Sequence, residues 1–429
     1  MVSGPRVCVI GGASTYTPEL IEGFVANQAD LGLGTVALMD IDAARLEVVG
    51  ELAERMIRAA HAPLQLELTT DRKAALQGAD YVITQIRVGG NEQRVVDETL
   101  PLRFGIVGQE TTGPGGLAKA LRTVPVMLDI AADVERICPQ AWVINFSNPS
   151  GLVTEALLKH SRVRALGLCN LPINMLHTVA GLLGAAPERV ELDYVGLNHL
   201  SWVKGASLDG QDVTAVVLAK AIEAARQPGQ GHSPFAPQLL ETLGMLPCYY
   251  LRYYYHHDQV LQEQREALRT RAEEVLEIEQ SLLATYADPR CDHKPSLLQQ
   301  RGGALYSQAA ISLMAAIAQD KGEVHVVNCP NDGAIVDLPE DAVVEVPCVI
   351  GAAGARPRAV GRLPTPIRGL VQSVKAYEML TIQAAVTGDR RTALQALMSH
   401  PLVPTFALAE ALLDAILSAN RAYLPRFFG

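Results

Sequence analysis

The sequence predicts an α/β protein, with an N-terminal doubly wound parallel sheet over residues 1–170 and a C-terminal mixed α+β domain over residues 171–429. Short β-branched runs alternate with helical stretches through the first 170 residues, the pattern of βαβ units whose helices cover both faces of a sheet. Beyond Asn170 adjacent strands and long helices replace that alternation. A chain of 429 residues suits two or three domains, and 49% apolar against 19% charged residues suffices for a large core.

Taken in order, the strands are expected at Arg6–Ile10, Val36–Met39, Leu64–Leu68, Tyr81–Gln85, Trp142–Asn145 and Ala165–Leu168. Helix-like segments lie between them at Pro18–Asn27, Asp42–Ala60, Lys119–Ile137 and Ser150–Lys159. The third carries Pro125, which predicts a bend or split there. Further on, Val190–Leu197 and Leu200–Val203 read as antiparallel strands with a turn at Ser207-Leu-Asp-Gly-Gln, and long helices follow at about 214–226, 258–286 and 304–319. The Pro- and Gly-rich stretch Val346–Pro366 reads as a connection into C-terminal helices at about 368–386 and 405–420.

A net charge of −10 without any run of five like charges gives no footprint for nucleic acid or an anionic membrane, so a small-molecule partner is expected. The beginning Met1-Val-Ser-Gly-Pro lacks the basic and long apolar stretches of a signal peptide, and Ala304–Ala318 is too short and too often interrupted to span a membrane. Seven scattered cysteines without paired spacing suit reduced thiols in a cytoplasm.

Ligands of open α/β sheets sit outside the carboxyl ends of the strands, so the residues after each strand carry the chemistry. Gly11-Gly12-Ala13-Ser14 follows the first strand, where small residues let the backbone approach a pyrophosphate. Ala13 and Tyr16 replace the second and third glycines of the dinucleotide fingerprint, and a plain tight turn fits the same residues. Asp40 and Asp42 follow the second strand, where a carboxylate can accept from an adenosine ribose. Gln85, Arg87 and Arg94 follow the fourth strand, and Asn145 and Asn148 the fifth, offering either oxyanion and hydroxyl binding or loop bracing. Cys169-Asn170 and, thirty residues on, Asn198-His199 bring a thiol and an imidazole that suit an open metal site, although two residues that far apart in sequence read first as a buried Cys and an ordinary His. The loop Gln109–Gly116 lines a site or caps a helix. Five tyrosines within Cys248–Tyr255 offer a general base or the apolar face of a helix.

Together, Ile10–Ser14, Gln85–Arg94, Gly108–Gly116, Asn145–Pro149, Cys169-Asn170, Asn198-His199 and Tyr249–Tyr255 resemble glycoside hydrolase family 4, and more narrowly its 6-phospho-β-glucosidases. The resemblance continues through Asn328–Gly333, Val344–Cys348 and His400–Pro404. It implies a Rossmann-like nucleotide domain of the lactate/malate dehydrogenase kind, and a route without the paired carboxylates of most glycosidases. In that route NAD⁺ takes hydride from sugar carbon three, a base removes the proton on carbon two, the aglycone leaves, water adds and the hydride returns.

The resemblance further implies Cys169 and His199 as ligands of a divalent metal, usually Mn²⁺, and Tyr250 as the base, with Tyr249 its neighbouring alternative. Arg94 and Asn148 match positions that bind phosphate and sugar hydroxyls, and Arg271 is a further candidate. Gly11, Gly12, Ala13, Ser14, Asp40, Gln85, Arg87 and Asn145 are the cofactor candidates. Asn170 stands where the α-active members carry an acid; an amide cannot protonate a leaving group, which points to β linkages. A homodimer or homotetramer is expected. The alternatives are a non-phosphorylated or galacto-configured substrate, and a simple dehydrogenase that would release NADH.

Overall fold

The computed structural model describes residues 4–227, 233–302 and 305–429. Thirteen strands are found among them: β1 (Arg6–Ile10), β2 (Thr35–Met39), β3 (Gln65–Thr69), β4 (Tyr81–Thr84), β5 (Trp142–Asn145), β6 (Arg164–Gly167), β7 (Val190–Leu197), β8 (Leu200–Leu208), β9 (Gln211–Asp212), β10 (Leu246–Pro247), β11 (Glu323–Pro330), β12 (Val343–Gly351) and β13 (Gly354–Pro357). The first six form a parallel sheet in the order β3-β2-β1-β4-β5-β6, so the strand order reverses between β1 and β4. That is the doubly wound dinucleotide-binding arrangement. Its interior strands are apolar throughout because helices cover both faces: Val7, Cys8, Val9, Val36, Ala37, Leu38, Val82 and Ile83 are all fully buried.

The expected boundary at residue 170 does not divide this sheet. Strands β11, β12 and β13 continue it past β6 with antiparallel pairing, giving nine strands in all. Val346–Pro366 is therefore corrected: it is not simply a connection, because most of it forms β12 and the hairpin to β13. Pro347 reads as a strand breaker, yet it sits inside β12 opposite Val326, and its carbonyl accepts from Arg358 N at 2.9 Å. A second, small sheet joins β10, β8 and β7, with β9 on β8; the β8–β9 turn uses positive φ at Asp209 and Gly210, as two-residue hairpins require.

Helices depart from expectation in several places. The expected 258–286 helix is two, His257–Glu266 and Arg271–Tyr286. A capping box starts the second: Thr270 Oγ1 accepts from Glu273 N while the Glu273 carboxylate accepts from Thr270 N. The Pro125 helix is not split and runs unbroken over Gly113–Ile137, while Gly90–Thr99, Leu171–Leu183 and Arg390–Ser399 are additional helices. The expected 304–319 helix spans Tyr306–Ala318, Ala304 lying outside the described residues.

Candidate active site

An open cleft of about 1080 Å³ lies at the carboxyl ends of the parallel strands, where the strand order reverses. Gly11, Ala13, Ser14, Asp40, Gln85 and Arg87 line one end of it; Arg94, Asn148, Asn170, His199, Tyr249, Tyr250 and Arg271 line the remainder. Sequence reasoning thus brings most of its candidates to one cavity.

The loop after β1 is built for close approach. Gly11 has φ +94°, and a Cβ there would stand 2.8 Å from the Gln85 carbonyl oxygen. Gly12 does not reach the cleft: a Cβ on it would meet Leu38 Cβ at 2.8 Å, so its task is to let the loop sit on β2. Asp40 accepts through its carboxylate from Ala13 N at 3.0 Å and from Asp42 N at 3.2 Å, bracing the loop it borders. The glycine cradle ahead of the helix Thr17–Ala26 fits a dinucleotide pyrophosphate. Asn145 is corrected as a cleft residue: it is fully buried, and its side chain is consumed by Ser147, Ser150, Thr154 and Thr84.

Arg94 and Arg87 are not loose cations. Arg94 Nε lies 2.7 Å from Glu98 and 3.2 Å from Glu110, and Arg87 and Lys119 also pair with Glu110. Burial opposes ionisation of Glu110, but Arg87, Arg94 and Lys119 together hold its carboxyl well below the usual range. Sequence reasoning placed Glu110 only in a polar loop; its role as anchor of three cations depends on contacts that no local motif signals. That loop is tightly seated: a Cβ on Gly108 would lie 1.6 Å from the Glu98 carbonyl oxygen. Gly108→Ala should cost about 1–3 kcal/mol in a denaturant melt, because backbone must move to admit one methyl group.

At the other end, His199 occupies the two-residue turn between β7 and β8 with φ +62°, a left-handed conformation uncommon outside glycine. Its ring stacks on Tyr250 with centroids 3.8 Å apart and planes 4° from parallel. Its Nδ1 lies 2.8 Å from Thr111 Oγ1, and Thr111 Oγ1 donates to Gln109 Oε1 at 2.8 Å. Since the threonine proton is spent on Gln109, His199 must donate from Nδ1, which leaves the lone pair on Nε2. Burial lowers the imidazole pKa to about 3, so the ring is neutral, as a metal ligand must be. Cys169 is 3% exposed behind the cleft wall; its Sγ accepts from Leu171 N at 3.4 Å, and burial pushes the thiol up. A thiol and a neutral imidazole with a free Nε2 are donor types that suit a borderline-soft divalent metal; no cluster of three or more His, Cys, Asp and Glu forms among the described residues.

The tyrosine run divides its labour. Tyr250 and Tyr253 line the cleft, whereas Tyr254 turns to His400 Nε2 at 3.2 Å. Tyr249 is 49% exposed and its Oη accepts from Arg252 at 2.7 Å. Burial, then Cys169, raise the Tyr250 phenol well above its ordinary value, with Arg94 the opposing cation. Arg271 stands 45% exposed at the start of its helix, 2.9 Å from Glu274.

Residues 6–185 match the Family 4 glycosyl hydrolase profile, and residues 194–403 match the Family 4 glycosyl hydrolase C-terminal domain. The chain is 45% identical to a probable 6-phospho-beta-glucosidase of Bacillus subtilis, covering 100% of this chain and 99% of that protein. It is 35% identical to the 6-phospho-beta glucosidase of Thermotoga maritima solved with manganese, NAD⁺ and glucose-6-phosphate, with a TM-score of 0.91 over 98% of this chain and 99% of that one. A malate dehydrogenase of Plasmodium falciparum shares the fold alone, at 13% identity, a TM-score of 0.55 and coverage of 89% of this chain and 98% of that one. With both halves matched in order, the chain belongs to family 4 of the glycosyl hydrolases.

Proposed function

We propose that the protein hydrolyses 6-phospho-β-glucosides with the help of NAD⁺ and a divalent metal, Mn²⁺ by the likeness to the Thermotoga structure. The observation that carries the reading is the Tyr250 ring stacked on His199 in a cleft that continues to the glycine cradle after β1. When bound, NAD⁺ and the metal supply transient oxidation at sugar carbon three and acidify the proton on carbon two. Cys169 Sγ and His199 Nε2 hold the metal. Tyr250 removes the carbon-two proton through its phenolic oxygen. Arg94, Asn148 and Arg271 bind the phosphate and sugar hydroxyls, with Glu110 fixing the orientation of Arg94. Asn170 contributes hydrogen bonds but no acidic proton, in keeping with a β linkage. Gly11, Ala13, Ser14, Asp40, Gln85 and Arg87 receive the dinucleotide.

The test is release of nitrophenol from p-nitrophenyl β-D-glucoside 6-phosphate by the reduced protein, with and without NAD⁺ and Mn²⁺. Release is expected only with both, without accumulation of NADH, and chelation of the metal should abolish it because the surrounding side chains alone hold the Tyr250 phenol protonated. Stoichiometric NADH without cleavage would replace the reading with a dehydrogenase. Unphosphorylated, galacto-configured and α-linked analogues run alongside fix the substrate.

Two further expectations belong to this reading. No helix among the described residues is long and apolar enough to cross a membrane, and all seven cysteines are buried and free, which supports a reducing, cytoplasmic setting. Met398 and Phe406 expose 51% and 54% of their surface on the C-terminal helices, which supports a homodimer or homotetramer.

A further inference from the structure

Behind the cleft lies a carboxylate that the proposed reaction does not use. Glu345 on β12 is fully buried, and no Lys or Arg pairs with it among the described residues. Its partners are three neutral donors on different segments: Tyr194 Oη on β7 donates to Oε2 at 2.7 Å, while Asn198 Nδ2 and Asn328 Nδ2 each donate to Oε1 at 3.1 Å. Burying a carboxylate without a cation is costly, so its place calls for a reason beyond packing.

Two of those donors lead to the candidate metal ligands. Asn198 is the residue before His199 in the β7–β8 turn, and its Oδ1 also accepts from Gly151 N at 3.4 Å. Asn328 donates in addition to the Gly167 carbonyl at 3.4 Å, and Asn328–Gly167 is the register pair that joins β11 to β6, two residues ahead of Cys169. One carboxylate therefore ties the turn carrying His199 to the strand end carrying Cys169.

We propose that Glu345 is a positioning residue for the Cys169–His199 pair, holding the two strand ends at the separation a divalent metal requires. The inference rests on the reading of that pair as metal ligands. Outer-shell partners of this kind commonly tune metal affinity by roughly 10- to 100-fold.

The test is an electron paramagnetic resonance titration of Mn²⁺ into the full-length reduced protein with saturating NAD⁺, comparing wild type with Glu345→Gln. The dissociation constant for Mn²⁺ is expected to rise by roughly 10- to 100-fold, while NAD⁺ affinity stays within about twofold, a split that general loosening of the fold would not produce. Unchanged Mn²⁺ affinity, or equal losses for Mn²⁺ and NAD⁺, would overturn the proposal. Should Glu345→Gln fail to fold, Asn198→Ala removes the donor that ties the carboxylate to the turn, together with the acceptor of Gly151 N, and must by itself weaken Mn²⁺ binding. Where both fold, the double variant should be no weaker than the worse single one, and additive losses would overturn the proposal. The readout needs no turnover, so a wild type that binds Mn²⁺ without cleaving glycosides defeats only the proposed function. Undiminished Mn²⁺ binding by Cys169→Ala would defeat the reading of the pair itself.

Discussion

Replacing Tyr250 by Phe should lower kcat for 6-phospho-β-glucosides by about 10²- to 10⁴-fold, the usual contribution of a positioned general base. The substitution keeps the ring and its 3.8 Å stack on His199, so the turn between β7 and β8 retains its support. Only the oxygen that accepts the proton is lost. NAD⁺ and Mn²⁺ affinities should therefore stay near those of the wild type, which separates a chemical defect from a structural one when kcat and binding are measured side by side. Retained turnover would transfer the base to another group. Tyr249 is a weaker choice, because its hydroxyl already accepts from Arg252 and about half of its surface faces solvent.

Arg122→Ala should be among the most destabilising single changes in the protein, at about 3–5 kcal/mol in chemical denaturation. Arg122 and Asp97 are each only 1% exposed in their side chains, and the guanidinium grips both carboxylate oxygens, at 2.9 and 2.7 Å. The same guanidinium reaches the Val88 carbonyl at 3.3 Å and the amide of Asn420. Removing it strands a buried carboxylate and at the same time cuts the C-terminal segment from the loop after β4. Replacing Arg122 by Met and Asp97 by Leu together should cost distinctly less than Arg122→Ala alone, because no unpaired charge remains inside. Equal costs would show that the loss is one of packing.

The parallel half of the sheet was legible because a βαβ chain writes each strand as an apolar run between helices; Arg6–Ile10 and Trp142–Asn145 agree with the structure residue for residue. The antiparallel extension was hidden by its own chemistry. Pro347, Gly351, Gly354 and Pro357 punctuate β12 and β13 densely enough to imitate a loop, and only pairing with distant β11 reveals strands there. Thr270 and Glu273 did carry a readable signal, a capping box inside what otherwise looked like one long helix.

The site divides in the same way. Residues at the carboxyl ends of strands were found because topology alone sends them to the cleft. Asn145 shows the limit of that rule: an amide closing a strand looks the same in sequence whether it meets a ligand or braces the next turn. Thr111 and Glu345 escaped because each acts on a residue far away in the chain, as Thr111 does on His199 across 88 positions, and Glu110 because its cations come from other elements, Arg87 23 positions before it and Lys119 9 after.

The junction of β11 with β6 has a consequence for synthesis. Gly167 and Asn328 are separated by 161 residues, so β6 leaves the ribosome with one backbone edge bare and waits for its partner. At ordinary elongation rates of roughly 5–20 residues per second, that wait lasts on the order of 10–30 s. During it the nascent nucleotide-binding half presents an unpaired strand to every neighbouring polysome, and a fragment ending near residue 170 would keep that edge permanently, making it a natural client for chaperones rather than a miniature of the whole.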